Sequence, residues 1–280
     1  MADQKTVVVT GGTRGIGHGL ALEFLKRGTN VVICGRGQAA VDSAIAELSL
    51  AATGGARVTG TACDVTKHDQ VQALWDFAKR ECGDVDIWIN NAGMSNTRFP
   101  IGRLPQDEVE AVPAVNLIGT MYGAQIALKG MEEQGHGALY NFEGFGSNGM
   151  KQHGMSLYGC TKFGLTYFTK ALIKETKDSP VIVGYMSPGI VITDLSLRDR
   201  GKMAPERWES VKKVFNIIAD RVETVTPWLV ENVLANDKHG ARIAWLTTKK
   251  AAGRFIKSRF VSTLGRFPEL ELTDDQEAAA

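Results

Sequence analysis

Cysteine is scarce in this 280-residue chain, and scattered where it occurs. Cys34, Cys63, Cys82 and Cys160 form no Cys-x-x-Cys pair, and the histidines show no paired metal-ligand spacing. Neither a disulfide framework nor a bound metal is expected, and scattered thiols fit a reducing compartment. Charge of one sign is lacking too: 32 Lys and Arg stand against 31 Asp and Glu, so no global field draws the chain to nucleic acid. No apolar run approaches the roughly 20 residues of a membrane span. Residues 1–5 are polar and the first strand follows at once, so no signal peptide is expected and the chain reads as soluble or at most peripheral. Linkers and internal repeats are also missing. That leaves 280 residues, 44% of them hydrophobic, to fold around one large core.

What is present is alternation. Thr6–Thr10 is a β-branched run closed by Gly11, the pattern of a buried strand. Residues 16–27 then place Leu20, Ala21, Phe24 and Leu25 at helical period. Further strands are expected at 30–34, 57–63, 85–90, 138–142, 181–186 and 241–246. Helical stretches lie between them: one through Val41, Ile45 and Leu48, then 71–82, 104–132, 157–174 and 226–234. Apolar strands joined by helices predict a parallel sheet covered on both faces. The glycine turn after the first strand makes it a doubly wound, Rossmann-type α/β fold of about seven strands, one domain over residues 1–246. Residues 194–224 break the alternation, and an insertion at the carboxyl edge of a sheet commonly forms a substrate lid.

Thr10-Gly11-Gly12-Thr13-Arg14-Gly15-Ile16-Gly17 spaces its glycines G-x-x-x-G-x-G between that strand and helix. The context lets a dinucleotide pyrophosphate sit on a helix N-terminus, with Thr13 and Ile16 in the same turn. An NAD site places a carboxylate at the end of the second strand to take the ribose hydroxyls. This chain has Gly35-Arg36 there, and Arg14 in the loop. Two guanidiniums and no carboxylate favour the 2′-phosphate of NADP(H), although Arg36 alone also fits an ordinary surface arginine. Asp64, followed by Val65, either accepts from the adenine amino group or caps the helix beginning near Lys67. Asn90-Asn91-Ala92-Gly93 follows the fourth strand, where small residues let backbone approach a ribose. Ser187-Pro188-Gly189 follows the sixth and is expected to border the nicotinamide, with Thr193 close behind for the carboxamide or a phosphate.

Tyr158-Gly159-Cys160-Thr161-Lys162 sets a phenol and an amine four residues apart, on one face of a helix. The ammonium is expected to draw the tyrosine pKa down from about 10 toward neutral pH, as a general acid requires. Cys160 reads either as a reactive thiol or as a small residue packed beside the tyrosine. Together with the glycine turn, this pair predicts a nicotinamide-dependent oxidoreductase.

In their order and separations, TGGTRGIG, NNAG, YGCTK and SPG resemble the motifs of the short-chain dehydrogenase/reductases, over roughly residues 6–246. The resemblance implies that Tyr158 is the acid/base and that Lys162 lowers its pKa and holds the nicotinamide ribose. It also implies that Asn116 supports a proton-relay water, where a helical asparagine otherwise reads as a structural hydrogen-bonder. A homo-oligomer, dimer or tetramer, is implied as well. One departure matters. The family carries a catalytic serine ahead of the tyrosine, after an aliphatic–Asn–aliphatic–Ser–Ser strand end. Here the strand end reads Asn141-Phe142-Glu143-Gly144-Phe145-Gly146-Ser147, with Glu143 and Gly144 at the two serine positions. Ser147 is then the carbonyl-polarising group if the loop glycines let it swing into place. Glu143 is the alternative, as proton donor or substrate contact.

This strand end is similar to that of the chlorophyll b reductases, as are residues 225–233 (VTPWLVENV), Trp245-Leu246-Thr247-Thr248 and residues 255–260. That branch implies NADPH-dependent reduction of the C7 formyl group of chlorophyll b to hydroxymethyl, in the cytoplasm or the plastid stroma. A generic carbonyl or 3-oxoacyl reductase and a non-catalytic NADPH-binding sensor are the other readings.

Residues 247–267 carry Lys249, Lys250, Arg254, Lys257, Arg259 and Arg266 and no acid, with Phe255, Ile256, Phe260, Val261 and Leu264 between them. A basic amphipathic extension of this type either lies on an anionic membrane or packs its apolar face on the domain or a second subunit. Residues 269–277 turn acidic and are expected to be disordered. In the lid, Met203, Trp208, Val211, Val214, Phe215 and Ile217 read as core, and their location suggests a bulky, hydrophobic carbonyl substrate.

Overall fold

The computed structural model describes residues 4–200 and 203–271. Its first half alternates as β1 (Thr6–Thr10), α1 (Gly15–Leu25), β2 (Asn30–Gly35), α2 (Gln38–Ser49), β3 (Val58–Ala62), α3 (His68–Cys82) and β4 (Ile87–Asn90). Then come α4 (Gln106–Pro113), α5 (Gly119–Gln134), β5 (Gly137–Phe142), α6 (Ser156–Glu175) and β6 (Val181–Ser187). The last part holds β7 (Val191–Ile192), α7 (Asp194–Leu197), α8 (Pro205–Ile218), β8 (Asp220–Arg221), α9 (Val222–Leu234), β9 (Arg242–Ala244) and α10 (Thr248–Lys257). Among the described residues, seven strands pair in parallel in the order β3-β2-β1-β4-β5-β6-β9. Each expected strand is found in this sheet.

Alternation along the strands splits the core in two, because successive side chains leave a strand on opposite faces. Val7, Val9, Ile33 and Ile89 pack with Leu20 and Phe24 of α1 and Val225 and Leu229 of α9. Val8, Val32, Trp88 and Leu139 pack with Leu74 of α3 and Ala127 and Met131 of α5. Both faces of the sheet are covered, so its strands read as unbroken apolar runs. The strand order reverses between β1 and β4, and the crevice at the carboxyl ends of those strands is where such sheets bind ligands. Helical residues Gln106–Gln134 form one stretch long and apolar enough to cross a membrane. Val112, Ala124, Ala127 and Met131 of this stretch are buried in the domain, while Val109 and Ile118 are exposed.

The 194–224 insertion and the C-terminal segment form a third apolar cluster. Met203, Trp208, Val211 and Phe215 pack with Phe267 and Leu270, and Trp208 Nε1 donates to the Leu270 carbonyl (3.0 Å). These large side chains are therefore committed to the C-terminal segment, the core role expected of them, and do not themselves mark a substrate site. Glu269 and Glu271 are ordered too, paired with Arg221 and Lys212 respectively. The remainder of the acidic tail, from residue 272 on, lies outside the described residues.

Asp220 is the node of this assembly. Its buried carboxylate accepts from Arg254 Nη1 (2.8 Å) and Nη2 (3.1 Å) and from Trp245 Nε1 (2.6 Å). Removing one member of a buried ion pair leaves the other charge without compensation. Asp220→Ala is accordingly expected to lower stability by roughly 3–5 kcal/mol, read as an early transition in a thermal or urea melt.

Candidate active site

β1 ends at Thr10, and the chain turns through Gly11 (φ 66°) and Gly15 (φ 57°), left-handed conformations that favour glycine. Gly17 lies against the Gly11 carbonyl and the Asn91 amide so closely that a Cβ there would overlap both. Bare backbone thus lines the turn, and the first N–H groups of α1, which have no intrahelical partner, open onto the crevice. Gly12 N–H donates to the Cys34 carbonyl (3.0 Å), and the Thr13 side chain lies against Gly35. The loop and the end of β2 therefore share one corner, which carries the exposed Arg14 and Arg36.

Asn91 fastens β4 to this loop. Its Nδ2 donates to the carbonyls of Thr10 (2.9 Å) and Gly11 (3.3 Å), while the N–H groups of Asn91 and Ala92 both donate to Thr10 Oγ1. Gly189 (φ 77°), next to Pro188, is pressed onto Leu246. Thr193 comes beside Gly15, and its hydroxyl accepts from Ser196 N–H, capping α7. Asp64 accepts from the N–H (3.0 Å) and hydroxyl (2.8 Å) of Thr66 and so closes a turn instead of capping α3, whose N-cap is Lys67, and Val65 is buried against Gly119. The crevice so built, with its bare glycine turn and two cationic side chains at one corner, fits a dinucleotide.

The second group of residues stands at the end of β5. Tyr158 and Lys162 lie one turn apart on α6, with Lys162 Nζ 5.8 Å from the centre of the tyrosine ring. Nζ donates to the Phe142 carbonyl (3.0 Å). Loss of hydration pushes the Tyr158 phenol up to about 12 and the Lys162 amine down to about 8, the nearby Glu143 charge opposing the second shift. This reverses the expected lowering of the phenol: desolvation outweighs the ammonium, whose proton is directed at a backbone carbonyl. Gly93 lies beside both Lys162 Nζ and Asn116 Oδ1, so the three positions converge.

Asn116 sits in a π turn (Ala114–Ile118) between α4 and α5, a helix irregularity frequent at functional sites. Its amide donates to the Met94 carbonyl (2.9 Å) and Thr161 Oγ1 (3.0 Å), and its oxygen accepts from Met94 N–H (2.9 Å). The side chain is thereby bonded on both sides, pinning the loop after β4 to α6. Glu143 is buried and accepts from Arg242 Nε (2.9 Å) and Nη2 (2.7 Å) of β9. Ser147 Oγ accepts from Gly144 N–H (3.1 Å) and donates to the Lys162 carbonyl (3.3 Å), tying the glycine loop to α6. Gly144 has the Tyr158 hydroxyl directly over it, in the space a Cβ would occupy. Cys160 is exposed.

The family model of the short chain dehydrogenases matches residues 5–203. The chain belongs to the short-chain dehydrogenase/reductase family. It is an oxidoreductase of a family that binds nicotinamide cofactors and is commonly oligomeric. It is 36% identical over 261 residues to a probable chloroplastic chlorophyll(ide) b reductase of Oryza sativa subsp. japonica, covering 88% of this chain and 50% of that one. It is 35% identical over 260 residues to the chloroplastic chlorophyll(ide) b reductase NOL of Arabidopsis thaliana, covering 90% of this chain and 72% of the other. The chain thus spans about half the length of the rice relative. An NAD+-bound xylitol dehydrogenase shares the fold at 20% identity, with a TM-score of 0.77 over 88% of this chain and 99% of the other.

Other residues that build this dehydrogenase/reductase site were not anticipated from sequence. Asn96 is fully buried; its Oδ1 accepts from Tyr158 N–H (3.0 Å) and its Nδ2 donates to the Gly154 carbonyl (3.0 Å). It satisfies a first-turn donor of α6 and so sets where that helix, and its tyrosine, begins. Glu108 of α4 accepts from Thr97 N–H (2.7 Å) and hydroxyl (2.8 Å) and pairs with Arg198 of the lid. Arg98 pairs with Asp199 (3.6 Å). The start of the 194–224 insertion is thereby tied to the segment just after Asn91-Ala92-Gly93. The only sign in the sequence is a polar run, Ser95-Asn96-Thr97-Arg98, in a stretch that should otherwise be an unremarked loop.

Proposed function

We propose that this chain is an NADPH-dependent reductase that converts the C7 formyl group of chlorophyll b to hydroxymethyl. The observation that carries the reading is identity of 36% and 35% to chlorophyll(ide) b reductases along 88% and 90% of the chain. The substrate is then a bulky, hydrophobic carbonyl compound, and the protein works in the cytoplasm or the plastid stroma. NADPH supplies the hydride when bound. Tyr158 gives a proton to the carbonyl oxygen, and Lys162 places its positive charge beside the ribose and the reacting oxygen. Asn116 holds the loop and helix that bring these groups together and supports the proton relay. Ser147 polarises the carbonyl when the glycine loop swings its hydroxyl free of the bonds that now tie it to Gly144 and Lys162. Gly11, Thr13, Gly15, Ile16 and Gly17 cradle the pyrophosphate, Asp64 and Val65 border the adenine, and Asn91, Ala92 and Gly93 line the ribose. Pro188, Gly189 and Thr193 close the nicotinamide end. The exposed face of α6, with Phe163 and Tyr167, is the surface on which we expect a second copy of the chain.

Arg14 and Arg36 are proposed to take the 2′-phosphate. Replacing both by alanine is expected to weaken NADPH binding by roughly 10- to 100-fold, the worth of one or two hydrogen bonds to a charged group. NADH binding should be unchanged. Fluorescence titration of both cofactors checks it, and equal losses for the two would remove the arginines from this role.

The reaction itself is tested by incubating the protein with NADPH and chlorophyll b in detergent, following the pigment by absorbance and chromatography. Appearance of the 7-hydroxymethyl pigment is the expected result. No conversion by protein that binds NADPH and reduces small aldehydes would instead make it a generic carbonyl reductase. Binding without turnover of any carbonyl would make it a sensor.

A further inference from the structure

The C-terminal extension presents its two faces in the reverse of the order expected for a basic amphipathic segment docked on its own domain. Two of its arginines turn inward. Arg254 reaches Asp220 and the Ile218 carbonyl (2.9 Å), and Arg266 donates to the carbonyls of Asn216 (2.8 Å) and Ala219 (3.2 Å). The Lys250 ammonium lies over the Trp245 ring. Five large apolar side chains ahead of the buried Phe267 are left in water: Phe260 is 83% exposed, Leu264 76% and Ile256 60%, with Phe255 and Val261 beside them. Lys249, Lys257 and Arg259 are exposed in the same stretch, and residues 247–267 contain no acid. Single exposed apolar residues are ordinary, but five within ten consecutive positions, rimmed by cations, mark a contact surface.

We propose that this surface docks on an anionic lipid bilayer, with Phe260 and Leu264 entering the acyl boundary and Lys249, Lys257 and Arg259 meeting headgroup phosphates. Charge decides between this partner and a second copy of the chain. A twofold contact sets a patch against itself, so a uniformly cationic patch would repel its own copy, whereas an anionic surface complements it. The inference goes beyond the proposed reaction and does not depend on it. α10 packs against α8 of the lid, so docking would hold the lid at the bilayer surface.

The test is cosedimentation of the full chain with vesicles of equimolar phosphatidylcholine and phosphatidylglycerol, with pure phosphatidylcholine vesicles beside them. The chain is expected to pellet with the anionic vesicles and not with the neutral ones. Replacing Lys249, Lys257 and Arg259 together by glutamine should lower partitioning by roughly 100-fold, about fivefold for each cation lost near the surface. About 1 M salt, which cuts the Debye length to about 3 Å, should release the protein likewise. Phe260→Asp with Leu264→Asp should also abolish pelleting, with melting temperature and NADPH binding unchanged because neither side chain is packed. Wild-type protein left in the supernatant would overturn the proposal. So would variants that pellet like wild type, or sedimentation velocity showing a vesicle-free dimer that the Phe260 and Leu264 replacements dissociate.

Discussion

Gly144→Ser is expected to lower turnover about 100-fold, although it restores the residue that the family pattern carries at that place. The Tyr158 hydroxyl already occupies the space in which the new Cβ would stand, and Lys162 Cε and Tyr158 Cζ lie 3.2 Å from the same point. Serine can be accommodated only by moving the phenol, and a displacement of about an ångström in a reacting group costs rate on that scale. The loss should appear in kcat, with NADPH affinity intact, since Gly144 is remote from the glycine turn. Gly144→Ala should behave alike, because the methyl alone meets the phenol. Turnover that stays level or rises in the serine variant would mean that its hydroxyl polarises the carbonyl, and that the tyrosine has room to spare.

Tyr158→Phe is expected to reduce turnover by at least about 10³-fold, within the range by which a positioned general acid accelerates proton transfer. NADPH should still bind, because the cradle is made by other elements. Survival of more than a few per cent of the activity would remove Tyr158 from its role. The pH profile gives an independent check. Lys162 has its folded pKa at about 8, below the ordinary lysine value of 10.5, so its positive charge is present below about 8 and fades above it. Tyr158, at about 12, keeps its transferable proton throughout this range. In the direction of reduction, kcat/KM should therefore be level at neutral pH and fall with unit slope above about pH 8. A profile that instead rises through that pH would assign the break to a group acting as its deprotonated form.

All seven strands of the sheet were legible because each is a short apolar run bounded by turn residues, a pattern local to a few positions. The glycine turn was legible for the same reason: Gly11, Gly15 and Gly17 declare backbone requirements that no other residue meets as cheaply. What could not be read depends on distant partners. Glu143 looked available for chemistry, yet it is bonded to Arg242, 99 residues further along the chain. Asn96 acquires its meaning only when folding sets it under the start of α6. The expected lowering of the Tyr158 pKa considered two side chains and left out their desolvation, which is a property of the assembled site. The run of cations in the tail is plain in the sequence, but which of them turn inward is decided by Asp220, a residue outside it.

The bond between Glu143 and Arg242 also bears on how the protein is made. A chain leaving the ribosome presents β1, β4 and β5 long before residue 242 appears, and until then the interior carboxylate lacks the guanidinium that bonds it and has only the nearby Lys162 amine to offset its charge. Closing the strand end beneath Lys162 over a carboxylate without its hydrogen-bonded partner is unfavourable, so this end of the crevice is expected to be finished among the last parts of the molecule. A nascent chain arrested before β9 would carry an intact glycine turn and an immature tyrosine–lysine pair.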